Sequence, residues 1–195
     1  MKMQTFQYDT SIAFFALFIL TVLARAVLLR RKGIRAIVFG ATDKTDFLLV
    51  PFVLAIIYAV LANRFRLPLW KPLLDPFWKT VIPGWVGLLL CAAAILGLIV
   101  TLISFGDSFR VGIDEEKPDK LVTTGVFRLS RNPIYVCFNS FFIGLFLVHR
   151  NGIIAVAVIA FALLIHRQIL REEKFLSSHY GGEYEAYCRQ VRRYL

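Results

Sequence analysis

The stretch Val81–Phe105 (VIPGWVGLLLCAAAILGLIVTLISF) carries no charged side chain over 25 residues. As a helix rising 1.5 Å per residue it exceeds the ~20 residues needed to cross the ~30 Å hydrocarbon core of a bilayer. Four further apolar blocks accompany it, at about Ser11–Leu29, Asp46–Ala62, Ile134–Val148 and Gly152–His166. With 58% hydrophobic residues and a mean hydropathy of +0.66, the chain holds more apolar surface than a soluble domain of 195 residues can bury. The expected fold is therefore all-α, a polytopic membrane protein of about five transmembrane helices with a C-terminal cytoplasmic helical segment. It reads as one domain, 1–195, with three spans in 1–105 and a loop, a helical hairpin and C-terminal helices in 106–195.

The last two blocks are short, reaching only ~22 Å as helices. They are expected to form a hairpin closed by His149-Arg150-Asn151-Gly152, or to lengthen into their flanks. Pro51 falls in the first turn of the second helix or kinks it. Gly87 and Gly97, with Ala92–Ala94 between them, give the third helix a small-residue strip suited to close packing. The opening residues MKMQTFQYDT lack the charged region and cleavage pattern of a secretory signal, so the first segment is expected to stay as a helix.

Charge orients the helices. Seventeen of the 23 Lys and Arg lie in Arg25–Lys44, Gly106–Pro133 and Arg167–Leu195, three regions that five spans bring to the same side. The positive-inside rule makes that side the cytoplasm, with the N-terminus outside. The formal net charge of +10 then sits in short loops between apolar runs, which points to anionic lipid headgroups and not to nucleic acid. The bilayer is the expected partner, and no obligate protein partner is signalled. Three Cys without CxxC spacing and three scattered His give no metal site; His149, His166 and His179 are expected to be structural or interfacial.

Two polar clusters break this apolar pattern: Lys120–Tyr135 (KLVTTGVFRLSRNPIY) ahead of the hairpin, and Arg167–Glu173 just after it. One helical hairpin returns both to the same side, where they can roof a lipid-accessible cavity. Thr123-Thr124-Gly125 signals a turn. Arg167–Tyr180 continues the last span out of the membrane at helical spacing, with Arg167 and Arg171 one turn apart. Gly181-Gly182 ends it, and Glu183–Leu195 is expected to form a further amphipathic piece.

The ordered array Leu121-Val122-Thr123-Thr124-Gly125-Val126-Phe127, Arg131-Asn132-Pro133-Ile134-Tyr135, an apolar hairpin, Arg171-Glu172-Glu173 and Tyr184-x-x-Tyr187-x-x-x-Val191-x-Arg193 resembles the isoprenylcysteine carboxyl methyltransferase family, and related phospholipid methyltransferases share much of it. The resemblance covers about Lys117–Leu195. It implies an integral membrane methyltransferase that uses S-adenosylmethionine at its cytoplasmic face, with a lipophilic methyl acceptor. Carried over by position, the cofactor contacts would be Asp119, Lys120, Leu121, Val122, Phe127, Asn132, Pro133, Tyr135 and Glu172. The family often has His where this chain has Asn132, which can hydrogen-bond but cannot carry a proton.

The residues themselves are compatible with this assignment. No GxGxxG loop is present, so the cofactor platform is not a dinucleotide-type fold. An adenine suits walls such as Val122, Phe127 and Tyr135, and the amino-acid tail suits Asn132, Lys120 or a carboxylate; Glu172 is the candidate for its ammonium or for the ribose. A carboxylate acceptor, with a reference pKa of ~4, is ionised at neutral pH and needs no general base. One arginine to align it would suffice, with Arg167 the first choice and Arg171 the second. An amine acceptor would need a base, for which Glu173 is the candidate. Two other classes compete: an NADPH-dependent membrane reductase with a similar C-terminal pattern, and a non-catalytic protein whose charges only fix topology.

Overall fold

The computed structural model describes residues 2–33, 49–106 and 121–195. The described residues are all-α, with α1 at Lys2–Arg31, α2 at Leu49–Phe65, a one-turn α3 at Lys71–Leu74, α4 at Ile82–Phe105, α5 at Pro133–His149, α6 at Gly152–Tyr180 and α7 at Gly182–Gln190. A 3₁₀ turn occupies Gly125–Arg128. Helices α1, α4 and α6 are long and apolar enough to cross a membrane, while Pro51–Phe65 and Pro133–His149 are shorter apolar helices. Only 17%, 44% and 22% of the apolar stretches of α1, α4 and α6 are buried within the chain. Leu20, Leu89, Ile103, Val156 and Leu163 face outward. At ~25 cal/mol per Å² such surface is costly in water and at home in hydrocarbon, which makes this a multi-pass membrane protein.

Helix α1 begins at Lys2, earlier than the apolar block from Ser11. Its polar first turns stay helical because Gln7 and Ser11, one turn apart and fully buried, both find partners. Gln7 Nε2 donates to Val81 O at 2.9 Å, and Ser11 Oγ lies 3.0 Å from His149 Nε2. Pro51 stands in the first turn of α2, where its missing N–H costs nothing. The hairpin turn falls where expected: Arg150 adopts a left-handed conformation (φ 47°) and Asn151 Oδ1 accepts from Ile154 N at 3.0 Å, capping α6. Helix α6 then runs unbroken through Arg167 to Tyr180 and stops at Gly181, whose φ of 52° favours glycine. The expected amphipathic piece Glu183–Leu195 is helical only to Gln190; at Val191 the backbone leaves the helix, and the carbonyls of Arg192 and Arg193 bond to the segment ahead of α5.

Helices α4 and α5 pack most closely. A Cβ on Gly87 would sit 2.5 Å from Gly144 O, and one on Gly144 would sit 2.6 Å from Cys91 Sγ, so two bare backbones meet at this crossing. Gly97 likewise faces Cys137 Sγ. Phenylalanines fill the centre, with Phe18 stacked on Phe141 at 4.2 Å and Phe142 against Phe161 at 4.2 Å.

The alternating helices sort the polar groups to two ends. One end collects Gln7, Ser11, Asn63, Thr80 and His149. Ser11 Oγ gives its hydrogen to Tyr8 O at 2.8 Å, so it accepts from His149 Nε2–H, while Asn63 Nδ2 donates to His149 Nδ1 at 3.0 Å. The ring stacks on Tyr8 at 5.0 Å. With both nitrogens occupied, His149 is a lock between α1, α2 and α5. The other end gathers Gly106, which accepts from Arg25 Nη2, the 3₁₀ turn, the start of α5, the outer half of α6, and α7.

Candidate functional site

At that second end the two polar clusters meet. Gly125, at φ 63°, lets the chain fold tightly under α4, where an added Cβ would strike Ser104 Oγ at 2.9 Å. Phe127 swings into a small core with Tyr184 and Tyr187, its ring edge-on to Phe105 at 4.6 Å. Tyr187 OH donates to Phe127 O at 2.7 Å, and burial pushes the Tyr187 phenol up to about 12. Leu121 and Val122 lie half-buried against the same core. Pro133 then starts α5 at a position where no N–H is needed.

Across from this wall stands the outer half of α6. Successive residues on a helix point ~100° apart, so the adjacent carboxylates of Glu172 and Glu173 serve different partners. Glu172 Oε1 accepts from Tyr135 OH at 2.5 Å and from Gln168 Nε2 at 3.0 Å, and Arg171 Nη1 donates to Gln168 Oε1 at 3.2 Å. Glu173 Oε2 receives Arg193 Nε at 2.9 Å and Nη2 at 2.7 Å. Its Oε1 faces Arg131 Nη2 at 3.4 Å and Asn132 Nδ2 at 3.4 Å. The Glu173 hydrogen bond holds the Arg193 guanidinium above its ordinary pKa. Arg131 Nη1 also donates to Cys188 Sγ, and the Tyr184 phenol, raised by burial and then by Glu173, lies buried in the same nest.

The structure thus brings Tyr135 and Glu172 into contact and sets Asn132 beside them, turned toward Glu173 and the Arg193 carbonyl. Phe127 and Pro133 are buried supports; Leu121 and Val122 are half-buried. Asp119 and Lys120 lie outside the described residues. Of the two arginines, Arg171 is half-buried and bonded into the Glu172 chain, whereas Arg167 is exposed on the outward face shared with Leu163 and Leu170. Arg131, Gln168, Glu173 and Arg193 complete the polar network, and sequence reasoning had not placed them in the cofactor set. Their signal was the doubled carboxylate Glu172-Glu173 facing several arginines, but which arginine meets which carboxylate depends on helix rotation.

The donor set fits a nucleoside with a charged tail. Half-buried Leu121 and Val122 offer apolar wall, while the Glu172 carboxylate, oriented by Tyr135 and Gln168, offers an acceptor for a hydroxyl or an ammonium.

A multi-pass membrane protein with a polar site between a loop and a helix extension at one end of its bundle is the class these features define. Sequence comparison makes it specific: the phospholipid methyltransferase family matches residues 82–183, more than half of the chain and including α4, α5, α6 and both walls of the site. A probable protein-S-isoprenylcysteine O-methyltransferase of Oryza sativa subsp. indica is 32% identical over 149 residues, covering 72% of this chain and 73% of its own. Protein-S-isoprenylcysteine O-methyltransferase B of Arabidopsis thaliana is 35% identical over 106 residues, 50% of this chain and 52% of its own. The cobalt-zinc-cadmium resistance protein CzcN of Cupriavidus metallidurans is 30% identical over 138 residues, 66% of this chain and 62% of its own. The chain belongs to the phospholipid and isoprenylcysteine methyltransferase family, a family of S-adenosylmethionine-dependent membrane enzymes.

Proposed function

We propose that this protein transfers a methyl group from S-adenosylmethionine to the carboxylate of a lipophilic acceptor, an isoprenylated cysteine or a similar apolar acid, at the cytoplasmic face of the membrane. The observation that supports the reading best is the Tyr135–Glu172 pair, which joins the two family motifs across the α5–α6 mouth. Leu121 and Val122 would receive the base of the cofactor, and Glu172 its ribose or ammonium. Asn132, Phe127 and Pro133 would hold the wall in register, with Asp119 and Lys120 further contacts. The cofactor supplies an electrophilic methyl on a positively charged sulfur.

The residues of the chain have little proton chemistry to perform, because a carboxylate acceptor is already ionised at neutral pH. Their work is to align the acceptor and keep water out. Arg171, tied to Glu172 through Gln168, is the better placed of the two arginines to hold the acceptor, and Arg167 suits the headgroup layer. An amine acceptor would need a base, and both oxygens of Glu173 are engaged by Arg131, Asn132 and Arg193. That favours a carboxylate over a phospholipid amine. The Lys and Arg excess at the site end supports the cytoplasmic placement.

Calorimetry on the detergent-solubilised protein with S-adenosylhomocysteine and with NADPH separates the transferase from a reductase. A radiolabelled methyl assay on prenyl-cysteine, fatty acids and phosphatidylethanolamine then identifies the acceptor. Binding of NADPH alone, or label on the amine lipid alone, would overturn the reading.

A further inference from the structure

After α7, residues Val191–Leu195 leave the helix, cross the site end and are held from both sides. On the loop side, Arg131 N donates to Arg192 O at 3.0 Å, and Ser130 Oγ and Asn132 Nδ2 donate to Arg193 O at 3.3 and 3.1 Å. On the helix side, Arg193 grips Glu173, and Tyr194 OH shares a hydrogen with His166 Nδ1 at 2.6 Å. This segment therefore bridges the same two walls, Leu121–Tyr135 and the outer half of α6, that a polar nucleoside must pass between.

Its hold differs in kind from that of the bundle. The helices are fastened by buried phenylalanines and glycine contacts, whereas the tail has only two half-buried apolar anchors, Val191 and Tyr194, and is otherwise held by hydrogen bonds and the Arg193–Glu173 ion pair, with Arg192 and Leu195 exposed. Elements with little buried apolar surface and many accessible hydrogen bonds open at the lowest cost. Asn132 is suited to the clasp: one amide nitrogen carries two hydrogens, spent on Glu173 Oε1 and Arg193 O, and a histidine ring nitrogen carries one.

We propose that Val191–Leu195 is a strap that gates the cleft between the Leu121–Tyr135 wall and α6, opening by release of Arg193 from Glu173 to let a polar nucleoside cofactor in and out. This rests on the cofactor reading above for its ligand and on the hydrogen bonds of the strap for its motion. Arg193 and Asn132 are positioning residues in it, acting through the strap.

Hydrogen exchange at the Arg131 amide reports strap closure directly, because its acceptor is Arg192 O. In Arg193→Gln that amide should exchange about three- to tenfold faster, the range expected for a partly exposed charged pair, while amides in the middle of α5 keep their rates. Association and dissociation of S-adenosylhomocysteine should both accelerate by a similar factor, with Kd changing less than either. Tyr194→Phe, which removes only the His166 bond, should shift exchange the same way by less, and Arg189→Gln, an exposed charge lost from α7, should change nothing. A merely structural tail would raise dissociation alone. Unchanged Arg131 exchange in both strap variants, or ligand binding with unchanged association, would overturn the gate while sparing the cofactor reading. Failure of the unaltered protein to bind the ligand would overturn both.

Discussion

Tyr135 and Glu172 offer the sharpest test of the site, because they come from different helices and meet at 2.5 Å. A hydrogen bond to a charged group contributes about 1.5–3 kcal/mol, and partial exposure puts this one near the lower figure. Tyr135→Phe should therefore weaken S-adenosylhomocysteine binding about tenfold. Glu172→Ala removes the carboxylate that both Tyr135 and Gln168 orient; losing about two such contacts to the ligand should cost about a hundredfold. The double variant should bind no worse than Glu172→Ala alone, since the tyrosine hydroxyl acts through the carboxylate it orients. Calorimetry in detergent measures all four proteins, with a thermal melt on each to show that the fold is intact. Additive losses, about a thousandfold in the double variant, would refute the claim that the pair acts as a unit. Unchanged affinity in Glu172→Ala would remove that residue from the site.

Two further outcomes follow from the packing. Gly144→Ala should destabilise the protein by about 1–3 kcal/mol or more, because its Cβ would stand 2.6 Å from Cys91 Sγ and 2.7 Å from Gly87 O, atoms with little room to move; Gly182→Ala, where nothing lies within 4 Å, is the matched control, and equal melting points would refute the close crossing. Burial raises the Tyr187 phenol to about 12, above the ~10 of an unfolded chain, so its contribution to stability is intact below pH 10 and is lost as pH climbs toward 12. Melts across that window should fall less steeply in Tyr187→Phe, with part of the slope remaining because Tyr184 shifts in the same direction; identical slopes would show that Tyr187 is not the group responsible.

Membrane residence, helical class and the segment order were legible in the residues, because hydrocarbon permits only backbones that satisfy their own hydrogen bonds and so forces long apolar runs into helices. The hairpin turn at His149–Gly152 and the continuation of α6 past Arg167 were legible for similar local reasons, a capping Asn151 and unbroken helical spacing. So was the company kept by the two polar clusters, since a single hairpin returns the chain to its starting side. The pairing of side chains was another matter. That Glu172 turns to Tyr135 while Glu173 turns to Arg193, that Arg167 is exposed while Arg171, one turn on, is half-buried, and that Asn132 clasps a tail more than fifty residues downstream depend on how α5 and α6 are rotated against each other. The close crossing at Gly87 and Gly144 sets how near α5 lies to α4. A sequence states which groups a helix carries, whereas the angle at which one helix meets another is fixed by packing among residues far apart in the chain, and only the folded molecule expresses it.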